Sequence, residues 1–226
     1  MAESSPHPLS APAEPGGRDR ARRLAEFAAL FVAAPVLIAL ILPPQMMFRA
    51  LFALSLVGLG LLWLTGGFAW RDMLRGRFSL TGFLAFAAVT TAASAGVLYL
   101  TRPEALFGLL RAQPLMLLLI WMLYPLLSAL PQELIFRVLF FHRYGRLFAS
   151  RRQAVVVNAA IFSLAHLMYW NWIVLVFTFF GGIVFATGYL KRGFLWAWAL
   201  HAIAGNILFA VGMGIYFYSG AVVRPF

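Results

Sequence analysis

Pro131-Gln132-Glu133-Leu134-Ile135-Phe136-Arg137 sets a carboxylate and a guanidinium four residues apart inside a long apolar run. At that spacing the two share one face of a helix. Charged side chains are costly to hold in hydrocarbon, so they pair, turn into the bundle and mark a site. Glu133 is the last acidic residue of the chain, and none of the 93 residues after it is Asp or Glu. Two imidazoles, His166 and His201, lie in later apolar segments. The function turns on whether these three side chains meet.

The surrounding composition is that of a membrane protein. Of 226 residues, 63% are hydrophobic and 11% are charged, against about 25% charged in soluble domains. A spanning helix needs about 20 apolar residues, and runs of that kind are expected at about 27–43, 50–65, 80–100, 114–142, from Arg152 to about 169, 173–190 and 194–218. The expected fold is an all-α polytopic transmembrane helical bundle of seven to eight spans. The eighth depends on the fourth run, where Pro125 and Pro131 each remove a backbone donor and bend or break a helix. Residues 1–24, rich in Pro, Ser, Gly and Arg, read as a disordered basic tail, and 25–226 as a single transmembrane domain. Ile41-Leu42-Pro43-Pro44 offers no small-residue cleavage site, so the first span is read as uncleaved.

The net charge of +11 does not form one basic face, which argues against a nucleic-acid partner. Thirteen of the eighteen basic residues fall on the side of the N-terminus, four on the other, and Arg137 lies between. This bias places the N-terminus in the cytoplasm of an integral membrane protein, read as one of the bacterial plasma membrane. Zero cysteines exclude disulfides, thiolate ligands and thiol nucleophiles. At 1.5 Å rise per residue, Glu133 lies roughly 15 Å from Arg143 and His201 roughly 14 Å from Arg192. His166, at roughly 21 Å from Arg152, is deeper.

Structural readings compete with catalytic ones. Glu133 with Arg137 can be an ion pair that locks helices, and a lone buried histidine can be a packing residue. Together the residues permit peptide hydrolysis. A carboxylate shielded from bulk water can take a proton from water and return it to a leaving amine. An imidazole can orient the water, and a polar donor can hold the oxyanion. A divalent metal such as zinc is the other route; it would take His166, His201 and Glu133 as ligands and consume the only base. No His-Glu-x-x-His helix is present, and no other cofactor is implied. Asn158 is read as an interhelical bond, Asn171 as part of a turn, and Gly182 and Gly188 as packing sites.

Three motifs in order resemble the CPBP intramembrane proteases, the family of CAAX prenyl endopeptidases and bacteriocin-processing or immunity proteins. The family pattern is Glu-Glu-x-x-x-Arg, Phe-x-x-x-His and His-x-x-x-Asn/Asp. Here these read Gln132-Glu133-Leu-Ile-Phe-Arg137, Phe162-Ser-Leu-Ala-His166 and His201-Ala-Ile-Ala-Gly205 followed by Asn206. The likeness covers about 115–210. It implies hydrolysis of a membrane-anchored or transmembrane peptide within the bilayer, with Arg137 supporting the site. The first glutamate of the pair would activate water with His166, and His201 with the Asn would hold the carbonyl.

Two positions depart from the pattern. Gln132 stands for the first glutamate, and a neutral amide is no base, so Glu133 would take that role. Gly205 stands at the Asn position, and Asn206 is rotated about 140° from His201 on an ideal helix. The expected function is an intramembrane endopeptidase with Glu133 as base, His166 on water, and His201 with Asn206 on the carbonyl. The alternatives are an inactive membrane-binding or immunity-type protein, or a small transporter with Glu133 as proton relay.

Overall fold

A computed structural model describes residues 17–225. Within them the chain forms seven long helices joined by turns and by connections that carry short helical pieces. These are α1 (Gly17–Ile41), α2 (Pro44–Thr65), α3 (Leu80–Thr101), α4 (Pro114–Leu147), α5 (Arg151–Ala165), α6 (Trp172–Arg192) and α7 (Phe194–Val211). Six are long and apolar enough to cross a membrane; α5, with 15 residues, falls short of the usual length. The polytopic helical bundle is therefore borne out, as seven packed helices of which six have spanning length. Of the expected disordered tail, residues 1–16 lie outside the described residues. Residues 17–24 are helical instead, because Asp19 pairs with Arg22 and Arg23 across one turn at 2.7 and 2.9 Å.

The fourth apolar run is one helix of 34 residues, not two. Each proline is absorbed by a change of helical pitch. A π-helical turn begins at Pro125, Pro131 lies in a short α-helical piece, and Leu134–Tyr144 is again π-helical. Looser i→i+5 turns are typical of functional segments. Here they carry the chain past two missing donors without a break, and they keep Glu133 and Arg137 on the buried side.

Helix ends follow from local chemistry. Ser150 caps α5 by accepting from the Gln153 amide at 3.1 Å, and Asn171 caps α6 by accepting from Ile173 at 2.8 Å. Gly193, at φ 94°, turns α6 into α7, and a Cβ there would lie 2.7 Å from the Arg75 carbonyl oxygen. Gly212, at φ 118°, ends α7 where a Cβ would overlap the Ala105 carbonyl. Both positions need glycine's left-handed freedom and its missing side chain.

Aromatic packing joins α1 to α4: Phe31 meets Phe136, Phe140 and Tyr144 edge-on at 5.7 to 6.0 Å. Gly182 lets α6 approach α5, where a Cβ would stand 2.9 Å from Ala159 Cα. Outside this core large apolar side chains are bare. Leu56 is 71% exposed, Trp63 74% and Leu100 82%. Soluble monomers rarely expose large apolar patches; these faces suit lipid.

The segments read as lying on one side of the bilayer do gather at one end. Arg143 of α4 binds Glu26 of α1 at 2.6 Å and Thr65 of α2 at 2.6 Å. The Arg77 amide donates to the Arg192 carbonyl at 2.8 Å, and Arg151 reaches Leu190. At the opposite end Phe107 bonds Val211, Tyr216 bonds Thr101, and Trp170 bonds Ala39.

Candidate active site

Glu133 and Arg137 are wholly buried where α4 meets α5 and α7. Glu133 Oε1 lies 2.9 Å from Nδ1 of His201 on α7, and its Oε2 lies 3.2 Å from Arg137 Nε. Arg137 Nη1 donates to the side-chain oxygen of Asn158 on α5, whose amide nitrogen donates to the Phe136 carbonyl. The guanidinium also faces the ring of Phe162 at 4.8 Å and that of Phe185 at 5.8 Å, a favourable placement for a desolvated cation. Asn158 is thus the interhelical bond expected of it.

His201 is held by aromatic rings as well as by Glu133. Phe185 stacks on its ring at 4.8 Å and 12°, and Phe162 meets it edge-on at 5.5 Å. His166 packs on the same Phe162 ring at 4.8 Å. It caps the C-terminus of α5, where Nδ1 lies 2.7 Å from the Phe162 carbonyl. A carbonyl only accepts, so Nδ1 carries the proton and Nε2 of His166 is left as an acceptor.

Both imidazoles line a cavity of about 790 Å³ between α3, α4, α6 and α7. Its walls are mostly apolar, with Ser128, Gln132, Thr178 and the two histidines among the polar groups on it. Val89 of α3 and Phe180 of α6, also on its wall, are exposed on the flank of the bundle. A smaller cavity of about 80 Å³ toward α1 and α2 shares Ser128, Gln132 and His166 with it. Glu133 and Arg137 line neither space. Gln132 lines both, with its amide nitrogen 3.0 Å from Ser128 Oγ and its carbonyl oxygen buried without a partner.

The structure therefore brings Glu133, Arg137, His166 and His201 to one place. Asn206 is not among them. Its side chain donates to the Trp121 carbonyl at 3.3 Å, and Trp121 Nε1 donates to its backbone oxygen at 3.0 Å. One residue past the motif position, it is carried around α7 to face α4. Gly205, which does line the cavity, has the Tyr124 ring packed where its Cβ would be.

Residues 114–217 match the family model of the Rce1-like type II CAAX prenyl endopeptidases. Over this segment the chain is similar to the Rce1-like family. The matched region runs from the start of α4 to just beyond α7 and contains Glu133, Arg137, His166 and His201, so the CPBP resemblance read from the three motifs is borne out. No curated protein and no solved structure matches the chain.

Two contacts were invisible to motif reading. Phe162 opens the Phe-x-x-x-His motif, but nothing in the sequence shows that its ring meets His201, or selects Phe185 as the other ring wall rather than ordinary core. Ser128 stands four residues before Gln132, and that spacing was the one available signal for their bond. Among the described residues no three His, Cys, Asp or Glu side chains group as ligands. His201 Nδ1 and both Glu133 oxygens already face each other or the Arg137 guanidinium.

Proposed function

We propose that this chain is an intramembrane endopeptidase that hydrolyses peptides presented from within or beside the bilayer. The observation that carries the reading is the cavity of about 790 Å³ inside the helical bundle, with His166 and His201 on its wall and the carboxylate of Glu133 directly behind His201. Its apolar lining suits a membrane-embedded or membrane-anchored segment, and its few polar groups suit one peptide bond. In this reading His166, with Nε2 free to accept, orients the attacking water. Glu133 supplies the site's acidic group, and Arg137 pairs with that carboxylate at 3.2 Å. The distribution of arginines supports a cytoplasmic N-terminus, and we place the protein in a bacterial plasma membrane.

Purified protein in lipid nanodiscs should cut a fluorogenic peptide carrying a membrane anchor into two fragments visible by mass spectrometry. Glu133→Gln should lose the cut. Equal cleavage by Glu133→Gln and wild type would remove Glu133 from the reaction.

A second reading is favoured by one observation: an amide, Gln132, occupies the cavity wall where the family motif has its first glutamate. In that reading the protein binds a membrane peptide without cutting it. The same nanodiscs separate the two, since retention of intact peptide with no fragments supports binding alone.

A further inference from the structure

From the two hydrogen-bonded histidines we infer that the base of the reaction is Nε2 of His201, with Glu133 acting through the imidazole rather than on water. The inference rests on the peptidase reading of the same site. A base must touch the water it deprotonates. Glu133 is fully buried, lines neither cavity, and has one oxygen on His201 and the other on Arg137. His201 does line the cavity, and because Nδ1 is committed to Glu133, Nε2 is the nitrogen it has left for that space.

The choice between the two imidazoles follows from what stands behind each. A carboxylate accepting from Nδ1–H fixes the tautomer with Nε2 unprotonated and stabilises the imidazolium that forms when Nε2 takes a proton. Glu133 provides this for His201 at 2.9 Å. His166 has only the uncharged Phe162 carbonyl behind it, so it orients water without becoming the cation. Phe185, stacked face-on against His201, gives the imidazolium a further favourable surface.

The step balances with water alone. His201 Nε2 takes a proton from water as the water oxygen bonds to the peptide carbonyl carbon. The tetrahedral oxyanion then collapses, the C–N bond breaks, and Nε2–H returns its proton to the departing amine. A carboxyl and an amine terminus result, and His201 is again neutral. Glu133 is a positioning residue in this scheme, and Gln132 need not be a base at all.

Chemical rescue tests the assignment in nanodiscs with the anchored peptide. His201→Ala should lose cleavage, and added imidazole should restore it in part, by at least about tenfold, since a positioned base contributes 10²–10⁴-fold. Imidazole should not restore cleavage to the Glu133→Gln/His201→Ala double variant, where no carboxylate holds the added ring. His201→Gln, able to keep a hydrogen bond to Glu133, should fold as wild type and remain inactive. Rescue of both variants alike, no rescue of either, or cleavage by His201→Gln near the wild-type rate would each overturn the assignment. Absence of cleavage by wild-type protein removes the peptidase reading and this base with it.

Discussion

Gln132 and Glu133 are neighbours in sequence and lie on opposite sides of the wall of the site. Gln132 faces the cavities on either side of α4, while Glu133 is closed behind His201 and bound to Arg137. About 100° of helical rotation separates consecutive side chains, enough to put one on the substrate side and the other in the protein interior.

Gln132→Glu places a carboxylate of nearly the same shape on the cavity wall beside His166. Cleavage of an anchored peptide should rise by on the order of 10²-fold, the low end of what a positioned base contributes because His201 already serves. The measurement is kcat in nanodiscs. A rate at or below wild type would mean that the wall at position 132 does not contact the reacting water.

Arg137→Met removes the cation beside a carboxylate that has no solvent to turn to. Breaking a buried pair by deleting one partner costs about 3–5 kcal/mol, so reversible unfolding in mixed micelles should show a loss of that size. Asn158→Ala should cost less, about 1–3 kcal/mol, because it leaves the Phe136 carbonyl and one Arg137 nitrogen without that partner. Wild-type stability in Arg137→Met would refute the pair as a structural element.

Gly205→Ala drives a methyl group into the ring of Tyr124. Overpacking of this kind costs about 1–3 kcal/mol. The loss should shrink in a Tyr124→Ala background, where the obstruction is gone. Thermal unfolding of the four proteins reads the coupling directly, and strictly additive losses would place the strain elsewhere.

Asn206→Ala should leave kcat unchanged, although the residue stands next to the motif position. Its side chain reaches the Trp121 carbonyl and not the cavity, so the change removes one interhelical bond worth about 0.5–1.5 kcal/mol. A large loss of kcat with intact folding would put Asn206 at the reaction centre after all.

Composition and the length of the apolar runs were enough to specify a helical membrane protein, because hydrocarbon tolerates only structures that satisfy their own backbone. Motif spacing named Glu133, Arg137, His166 and His201, since charge and imidazole are too costly in an apolar segment to lie there idle. The same arginines that indicated two sides reappear in the fold as two ends, with Arg77 bonded to Arg192 and Arg143 to Glu26. Sequence could not decide whether Pro125 and Pro131 break α4, because the π-helical turns that absorb them depend on packing against neighbouring helices. Nor could it decide which of Gln132 and Glu133 faces substrate, or that Asn206 turns away. Those outcomes are set by the rotation of α4 and α7 about their own axes. That rotation is fixed by distant side chains meeting in the bundle, among them Asn158 on Arg137, Phe185 on His201 and Tyr124 on Gly205, and no local pattern records such meetings.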